Sequence, residues 1–376
     1  MSYFNYSTLW PADWWGRRSF ARAWWSIYAG DPRWVPPDHA TWQRLTTRSA
    51  SPLWHGERAQ LIYLEALPRR TGAGSPGLGQ PLLAGAVFEE AVAAVLLHFS
   101  PEHGDGTAYL GLLRCVNDEE TLERLLGAAM ETAAGYGCVR LVGPVGPIPA
   151  WESGALSSHF HTTPPLHTPY NPPYLPDLLA STMTPLLETT LYHLPVRKPE
   201  DTAASPAQLE PLTVAQIDSS LAPLVTAALA PHTDAPDLSG REVDILRQWI
   251  GAWPSAGWLA KVDGKTVGIM LAQPDHATLE RRTRGGRRLL WRWYAAWARR
   301  RPAAGGRLLL GAVDPAWRHR GIGQQLLTQV LRHAHAAGWQ ALACGPYRPG
   351  SDGARLVERF GAQPAQRYTL YEWSAW

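Results

Sequence analysis

One short turn in the second half of the chain combines residue types that bind phosphate. Arg318 and Arg320 supply positive charge, and Gly321 and Gly323 stand at the start of a segment with helical spacing. The first amides of a helix have no carbonyl partner within it and lie at the positive end of its dipole, so they attract anions. Glycine removes side chains that would keep a diphosphate away, and arginine adds charge-assisted contacts. We therefore predict a diphosphate-binding turn here.

The residues around this turn predict the elements that position it. An apolar stretch, 307–313, is soon followed by Pro315, which ends a strand because proline cannot donate a hydrogen bond to a sheet. Apolar residues recur at helical spacing over 322–337, and 340–344 is a short apolar run typical of a strand. The turn is thus predicted to join a strand to a helix that leads to the next strand.

A strand, a proline, the pattern Arg-x-x-Gly-x-Gly and a helix in this order resemble the acyl-CoA signature of the GNAT superfamily. The resemblance implies acetyl-CoA as co-substrate, with its pyrophosphate on the turn and its pantetheine arm paired with the backbone of the preceding strand. It also implies that the strands at 307–313 and 340–344 splay to admit that arm. The cofactor-binding residues implied in this way are Ala312, Val313, Arg318, His319, Arg320, Gly321, Ile322 and Gly323.

The resemblance extends along most of the chain, to a family of bacterial tandem-GNAT proteins that are mostly of undetermined substrate. The stretches that carry it are DPRWVPP (31–37), RLVGPVGP (140–147), TPYNPPY (168–174), QPD (273–275) and RFGAQPAQRYTLYEW (359–373). We therefore expect an α/β protein with a mixed sheet and two tandem GNAT-like domains, at 1–195 and 209–376. The segment 196–208 is rich in proline, alanine and charge and is predicted to link them.

The other sequence patterns predict strands and helices in a similar order in both halves. In the first half they predict helices at 14–28 and from Asn117 or Asp118 onward, and strands at 59–66, 82–88, 108–116 and 138–142. In the second half they predict helices at 214–230, 241–250, 287–301 and 354–360, and strands at 209–212, 258–262, 266–273 and 368–373. Asp263-Gly264 suits a tight hairpin turn because glycine tolerates positive φ.

The first half lacks the phosphate turn. Its strand at 108–116 continues into Asn117-Asp118-Glu119-Glu120, and carboxylates at the start of a helix would repel a diphosphate. We predict that this domain has lost CoA binding and has a structural or acceptor-binding role. Tyr170 and Asn171, set among prolines, either form a rigid packed turn or line a groove between the domains.

The catalytic groups are less clearly marked. Amine acetylation needs a base for the amine and often an acid for the leaving thiolate. Many GNAT enzymes place a tyrosine acid in the short helix after the fifth strand, where this chain has Val357. The candidates that remain are Tyr347 and Glu358, while Asp314 is more typical of a turn or cap. A water chain without a single essential base is an alternative.

Two further sets of reactive side chains have ordinary structural interpretations. His159, His161 and His167 are interrupted by prolines and have no neighbouring cysteine or carboxylate, so loop histidines are favoured and no metal is predicted. Cys344 is favoured as a buried thiol in a strand over a nucleophile.

Basic residues are concentrated in one segment. Residues 280–301 contain nine Arg and one Glu, a net charge of +8, so the remainder of this +3 chain sums to −5. As a helix, 287–301 would carry an apolar face and an arginine face. The apolar face holds Leu289, Leu290, Trp293, Ala296 and Trp297, and the other holds Arg288, Arg292 and Arg299. Three roles are open for such a helix: it packs on the protein, it binds nucleic-acid phosphates, or it lies on an anionic membrane. The apolar stripe favours packing, and we predict no tight nucleic-acid binding.

Composition narrows the class of protein. A hydrophobic content of 45% and a charged content of 18% exclude a disordered chain. No signal peptide or membrane-spanning stretch is predicted, and three scattered cysteines exclude a disulfide framework. The chain has 32 Arg and three Lys, a bias that suggests a GC-rich bacterial genome. We expect a cytoplasmic monomer or homodimer.

The leading hypothesis is an N-acetyltransferase that moves an acetyl group from acetyl-CoA to an amine of a small molecule or peptide. The missing tyrosine and carboxylate keep open a catalytically silent CoA- or ligand-binding protein. The arginine-rich helix keeps open a tRNA-dependent aminoacyl transferase, an analogy at the level of fold alone.

Overall fold

The structure is a computed structural model, and it describes residues 4–9, 14–39, 42, 59–66, 90–99, 106–146, 153–200, 205–229, 243, 247 and 256–374. The strands are β1 (Phe4–Leu9), β2 (Ala59–Ala66), β3 (Glu90–Phe99), β4 (Thr107–Cys115), β5 (Arg140–Gly143), β6 (Ala155–Leu156), β7 (Thr184–Pro195), β8 (Gln208–Pro211), β9 (Ala256–Val262), β10 (Lys265–Pro274), β11 (Gly305–Val313), β12 (Ala341–Tyr347) and β13 (Gln363–Ser374). The helices are α1 (Trp14–Ile27), α2 (Glu119–Ala134), α3 (Leu175–Thr182), α4 (Ala222–Leu229), α5 (Ala277–Thr283), α6 (Leu289–Ala298), α7 (Ile322–Ala336) and α8 (Asp352–Arg359). Across these ranges, no helix combines the length and apolarity that a membrane crossing needs.

All the strands belong to one mixed sheet, in the order β1-β2-β3-β4-β5-β13-β7-β12-β11-β10-β9-β8, with β6 beside β13. The two halves exchange their last strands. β13, at the end of the chain, pairs with β5 of the first half, and β7, at the end of the first half, pairs with β12 of the second. β7 and β13 also pair with each other along most of their length. The predicted boundaries at 195 and 209 therefore divide a chain whose sheet is continuous.

Each half contains the same strand-helix-strand unit, β4-α2-β5 and β11-α7-β12. In both units the parallel strands pair over three residues only, Thr107–Tyr109 with Arg140–Val142 and Gly305–Arg307 with Ala341–Ala343. The first strand of each unit also pairs antiparallel with the strand before it, β4 with β3 and β11 with β10, and each pair has a bulge that shifts its register. The halves thus repeat one architecture, as the order of predicted elements indicates.

The prediction of a mixed α/β sheet is confirmed, and many local patterns end where predicted. Asp118 caps α2 by accepting a hydrogen bond from the Thr121 amide at 2.9 Å. Asp263 and Gly264 have φ values of 50° and 77°, as a tight hairpin requires. The predicted helix at 214–230 begins as two short 3₁₀ turns before α4. The strand predicted at 82–88 and most of the helix predicted at 241–250 lie outside the described residues.

The sequence patterns missed the strands β1, β3, β6 and β7 and the helices α3 and α5. β3 is buried on both faces: Ala94 and Leu96 join one core cluster, whereas Val95 and Leu97 join another. Such a strand has no alternation of polar and apolar residues by which to recognise it.

A buried arginine joins α1 to the sheet of the first half. The Arg114 Cζ lies 3.4 Å from the ring centroid of Trp24, 4.4 Å from that of Trp34 and 4.5 Å from that of Tyr28. Its Nη1 donates a hydrogen bond to the Trp24 carbonyl at 2.7 Å. Burial lowers the Arg114 pKa to about 9, so the group stays cationic at neutral pH. Among the described residues no carboxylate pairs with it, and the aromatic faces stabilise the charge.

The arginine-rich segment is anchored to the first half by an ion-pair triad. The Arg299 Nη2 lies 2.6 Å from Asp38 Oδ1 and 2.8 Å from Glu280 Oε1. Glu280 is fully buried, and desolvation raises its pKa to about 7 despite the arginine. Gly285, at φ 63°, packs so closely that an added Cβ would lie 2.2 Å from the Pro37 carbonyl oxygen. This triad positions α5 and α6.

Helix α6 is oriented opposite to the packed arrangement that its sequence favours. Ala295 is its only buried residue, and Arg299, one turn later, points into the triad. Leu289, Leu290, Trp293 and Trp297 are all exposed. The interpretation of the apolar stripe as a packing face is therefore wrong, because the ion pairs of Arg299 hold the side of Ala295 and Arg299 against the protein and leave the stripe in solvent.

The triad predicts a large and specific loss of stability in Arg299→Met. Removing the cation leaves buried carboxylates uncompensated, so we expect the free energy of unfolding to fall by about 3 to 5 kcal/mol. The loss should shrink as pH falls toward about 5, because protonated Glu280 carries no charge to compensate. Urea denaturation of R299M at two pH values measures both effects. Arg300→Met, at an exposed neighbour, is the control and should change stability little.

The exchanged strands predict that the halves do not fold independently. Residues 1–200 alone would leave β5 and β7 without their partners β13 and β12, and unpaired strand edges promote aggregation. We expect that fragment to be insoluble when expressed alone and soluble when co-expressed with 201–376, with the two fragments copurifying. Monomeric, cooperatively unfolding 1–200 by itself would contradict the prediction.

Candidate functional site

A cleft opens where β11 and β12 separate. Beyond their three residue pairs, β11 continues beside β10 as far as Val313, and β12 continues beside β7 as far as Tyr347. Because each strand keeps a neighbour on its other side, the two can diverge without leaving the sheet. The resulting cleft has a volume of about 480 Å³.

Three parts of the second half line this cleft. One wall is β10 and β11, the second is the turn that leads into α7, and the third is the end of β12 with α8 and its preceding loop. The lining residues are Met270, Leu308, Gly311, Ala312, Val313, Trp317, Arg318, His319, Gly321, Gly323, Gln324, Tyr347, Ser351, Asp352, Gly353, Arg355, Leu356, Val357 and Arg359. The wall is thus apolar along the strands and cationic at the helix ends.

The predicted phosphate turn has the backbone geometry that its glycines allow. Gly321 has φ 80°, in the left-handed region that favours glycine, and it caps α7. The α7 amides of Ile322, Gly323 and Gln324 have no carbonyl one turn before them. An added Cβ at Gly323 would lie 3.4 Å from the Leu356 side chain, on the facing wall. Gly321 therefore permits the left-handed turn into α7, and Gly323 leaves the space between the turn and Leu356 unfilled.

Arg318 ties this turn to the strand before it. Its Nε donates to the Val313 carbonyl at 3.3 Å, and its Nη1 lies 3.9 Å from the Asp352 carboxylate across the cleft. The two contacts place the Arg318 guanidinium on the turn, within the lining of the cleft.

The cleft brings together six of the eight residues expected to bind the cofactor. Ala312, Val313, Arg318, His319, Gly321 and Gly323 line it. Arg320 instead stacks over Trp317 at 4.8 Å on the exposed side of the turn, and Ile322 is buried in the core beneath α7. The side chains of Arg320 and Ile322 are therefore not among the lining of the cleft.

Sequence reasoning missed the cations on the opposite wall. Arg355 and Arg359 stand one turn apart on α8 and line the cleft, and the Arg355 Nε donates to the Gly350 carbonyl at 2.7 Å. The i, i+4 arginines on a helix that follows the fifth strand were the available signal. Their position across the cleft from Arg318 depends on the tertiary structure and could not be predicted from this spacing.

The two catalytic candidates occupy different places. Tyr347 lines the cleft, and burial raises the pKa of its phenol well above the ordinary value. Glu358 is exposed outside the cleft, where its Oε1 accepts a hydrogen bond from the Tyr192 hydroxyl at 2.8 Å. Burial and this carboxylate raise the Tyr192 pKa to about 12. Of the two candidates, therefore, Tyr347 alone faces the space that a substrate would enter.

A buried arginine that sequence reasoning missed lies at the apex of the splayed strands. The Arg307 Nη2 donates to the Gly345 carbonyl at 3.1 Å, which joins β11 to β12 just past their last residue pair. Its Nε and Nη1 are buried without a hydrogen-bond partner in the described part of the chain. Asp275 contributes a nearby negative charge, although its carboxylate already accepts from the Leu166 and Ala277 amides.

The remaining reactive residues have structural roles. Asp314 caps the turn after β11, with its Oδ1 accepting from the Ala316 amide at 2.9 Å. The buried Cys344 thiol donates to the Leu342 carbonyl at 3.6 Å, and burial raises its pKa to about 12. Burial also lowers the His167 pKa to about 3. No group of three or more metal-ligating side chains occurs in the described ranges.

A second cavity, of about 130 Å³, lies within the first half. Tyr170 and Asn171 line it, yet both are fixed: the Tyr170 hydroxyl donates to Asp31, and Asn171 Oδ1 accepts from the Leu156 amide at 2.6 Å. All its lining residues belong to the first half. These residues therefore form a rigid packed turn around an internal cavity, and they do not line a groove between the halves.

In the first half, the strand separation that corresponds to the cleft is closed. The Val145 amide donates to the Leu110 carbonyl at 2.8 Å, and the Val145 carbonyl lies 2.8 Å from His98 Nε2. The helix start that corresponds to the phosphate turn carries Asp118 as its cap and two glutamates in its first turn. The first half therefore has a closed strand separation and an acidic helix start, whereas the second half has an open cleft and a cationic turn.

Comparisons with known proteins agree with this architecture. Residues 224–362 match the model of the acetyltransferase (GNAT) family. The sequence matches none of the curated proteins with which it was compared. The structure is similar to a tandem GNAT protein from the clavulanic acid biosynthesis pathway, at 12% identity and a TM-score of 0.58, over 99% of this chain and 98% of that one.

Two further structures share the fold. A GCN5-related N-acetyltransferase from Anabaena variabilis gives 8% identity and a TM-score of 0.54 over 98% of this chain and 72% of its own. A probable N-acyltransferase from Enterococcus faecalis is 7% identical, with a TM-score of 0.53 over 99% of this chain and 73% of its own. At such identities the likeness shows the fold alone. The second half of this chain therefore carries a domain of the GNAT acetyltransferase family, within a tandem GNAT fold that extends over both halves.

Proposed function

We propose that the protein is an N-acetyltransferase that moves an acetyl group from acetyl-CoA to an amine of a small molecule or peptide. The observation that carries the proposal is the cleft between β11 and β12, which ends at the Arg318–Gly323 turn and lies in the region matched by the family. We further infer that it works in the bacterial cytoplasm, as a monomer or homodimer, without a metal.

The chemistry of the cleft suits each part of CoA. The α7 amides and Arg318 would hold the pyrophosphate, and Arg355 and Arg359 would add positive charge from the facing wall. Beyond Arg307, the β11 edge that faces the cleft has lost its β12 partner, so backbone groups at Ala312 and Val313 would be in position to pair with the pantetheine amides, although the Val313 carbonyl already accepts from Arg318. The apolar wall of Met270 and Leu308 suits the arm itself.

Tyr347 is the group best placed to assist the reaction. The acceptor nitrogen forms a bond to the acetyl carbon, the carbon–sulfur bond breaks, and the thiolate of CoA takes a proton. The Tyr347 phenol is protonated at neutral pH, which is the form an acid needs, although the burial that raises its pKa also makes it a weaker acid. With no carboxylate on β11, the amine would lose its proton to solvent through ordered water.

A catalytically silent CoA-binding protein is the second candidate, and the lack of a carboxylate base on β11 favours it. Acetyl-CoA-dependent release of free thiol with a panel of amines separates the two: turnover supports the enzyme, and tight CoA binding without turnover on any amine supports the silent protein.

CoA binding at the turn predicts a difference between two matched glycine variants. Gly321→Val and Gly338→Val each place a β-branched residue at φ near 80°, so both should lose stability. Only G321V should also lose stabilisation by acetyl-CoA, because Gly338 lies at the far end of α7. Differential scanning fluorimetry with and without acetyl-CoA measures this, and equal CoA-dependent shifts in both would refute the assignment.

Charge reversal at Arg318 tests the same site without backbone strain. Arg318→Glu removes a charge-assisted contact worth about 2 kcal/mol and adds repulsion, so affinity for CoA should fall by about a hundredfold. Isothermal titration calorimetry gives this affinity. Arg332→Glu, on the same helix away from the cleft, is the control.

The closed first half predicts one CoA per chain. Asp118 and the two glutamates after it stand where the phosphate turn would be, and Val145 fills the strand separation. A calorimetric titration of the full chain should give a stoichiometry of one. A second site that survives R318E would show that the first half also binds CoA.

The role of Tyr347 predicts a split between turnover and binding. Tyr347→Phe keeps the ring that lines the cleft and removes the proton, so kcat should fall by about 10²-fold or more while the Kd for CoA stays unchanged. Tyr192→Phe, whose hydroxyl bonds Glu358 outside the cleft, serves as the matched control. Equal kcat values in Y347F and wild type would remove Tyr347 from the mechanism.

A further inference from the structure

Helix α6 presents its apolar side to solvent. At 100° per residue, Leu289, Trp293, Trp297 and Leu290 cover one continuous arc, and Ala295 lies opposite its centre. The exposed fractions of these four side chains are 68%, 71%, 51% and 83%, whereas Ala295 is 1% exposed. The helix thus packs on the protein through the side that carries Ala295, and its large apolar side chains point away from the protein.

This orientation is fixed rather than incidental. The Arg299 guanidinium, on the inner side one turn after Ala295, bonds both Asp38 and the buried Glu280. Turning the apolar arc inward would break those ion pairs and strand Glu280 in the interior. Tyr294 packs between Trp291 and Trp297, edge-to-face with the first and tilted against the second, at centroid distances of 5.9 and 5.8 Å.

The charges around the arc are of one sign. Arg287, Arg288 and Arg292 near its start and Arg300 and Arg301 at its end are exposed. Glu280 is the only acidic residue of the segment 280–301, and it is buried and already paired with Arg299. Aromatic and leucine side chains bordered by exposed arginines match the boundary between lipid acyl chains and anionic headgroups.

We propose that α6 docks the protein onto an anionic lipid bilayer, with Leu290, Trp293 and Trp297 inserted at the headgroup boundary and the flanking arginines on lipid phosphates. A second copy of the chain fits less well, because facing copies would bring two sets of exposed arginines together. Nucleic acid also fits less well, because its phosphates would make no apolar contact with the exposed Leu289 and Leu290. The docking is independent of the acetyl transfer proposed above.

Vesicle co-sedimentation of the full chain tests this. We expect binding to vesicles of equal parts phosphatidylglycerol and phosphatidylcholine, and much weaker binding to phosphatidylcholine alone. The triple variant L290S/W293S/W297S should lose about tenfold or more in affinity for the anionic vesicles while its thermal stability and CoA-dependent shift stay unchanged. Val139→Ser, a 63% exposed apolar position in the first half, is the control and should bind like wild type.

A second variant tests the contribution of the arginines to vesicle binding. R288Q/R292Q should weaken binding to the anionic vesicles and reduce the preference for them over neutral ones. Equal binding of wild type and the triple variant would overturn the proposal. So would a dimer in sedimentation velocity that the triple variant dissociates, or submicromolar RNA binding at about 0.15 M salt that R288Q/R292Q removes.

Discussion

The exchange of terminal strands is the constraint on which the rest of the structure depends. β13 lies between β5 and β7, and β7 lies between β13 and β12, so each half is completed by a strand from the other. As a result, the two halves share a single sheet that has no exposed edge strand at their junction. Two separate domains would each expose an edge strand there. Folding and the position of the cleft are coupled through these two strands.

The cleft follows from that exchange. Two parallel strands can separate only if each retains a neighbour on its other side, and β12 retains β7, a strand of the first half. Arg307 then holds the apex of the separation through the Gly345 carbonyl, Gly321 permits the left-handed turn into α7, and Gly323 leaves the space beside that turn unfilled. The first half repeats the unit, but Val145 fills its separation and carboxylates begin its helix. One architecture therefore yields an open cationic cleft in one half and a closed, acidic equivalent in the other.

Buried arginines organise the packing elsewhere. Arg114 is stabilised by three aromatic faces instead of a carboxylate, and Arg299 by Asp38 and Glu280. In each case the desolvation cost of a cation is offset by partners that only one arrangement of helix and sheet provides. The arrangement around Arg299 also decides which side of α6 faces outward, so an ion pair in the interior determines the chemistry of the surface.

By itself the sequence determined many of the local elements and the strand-turn-helix arrangement around Gly321. Glycine at 321, arginine at 318 and the capped helix at 119–134 follow from rules that act within a few residues, and the structure places them as those rules require. β3 escaped because burial on both faces removes alternation, and β7 because its partners lie far along the chain. The strand exchange, the facing arginines of α8, the off-cleft position of Glu358 and the outward side of α6 were decided by tertiary structure alone. Each depends on contacts between segments far apart in sequence, and a local pattern carries no record of such contacts.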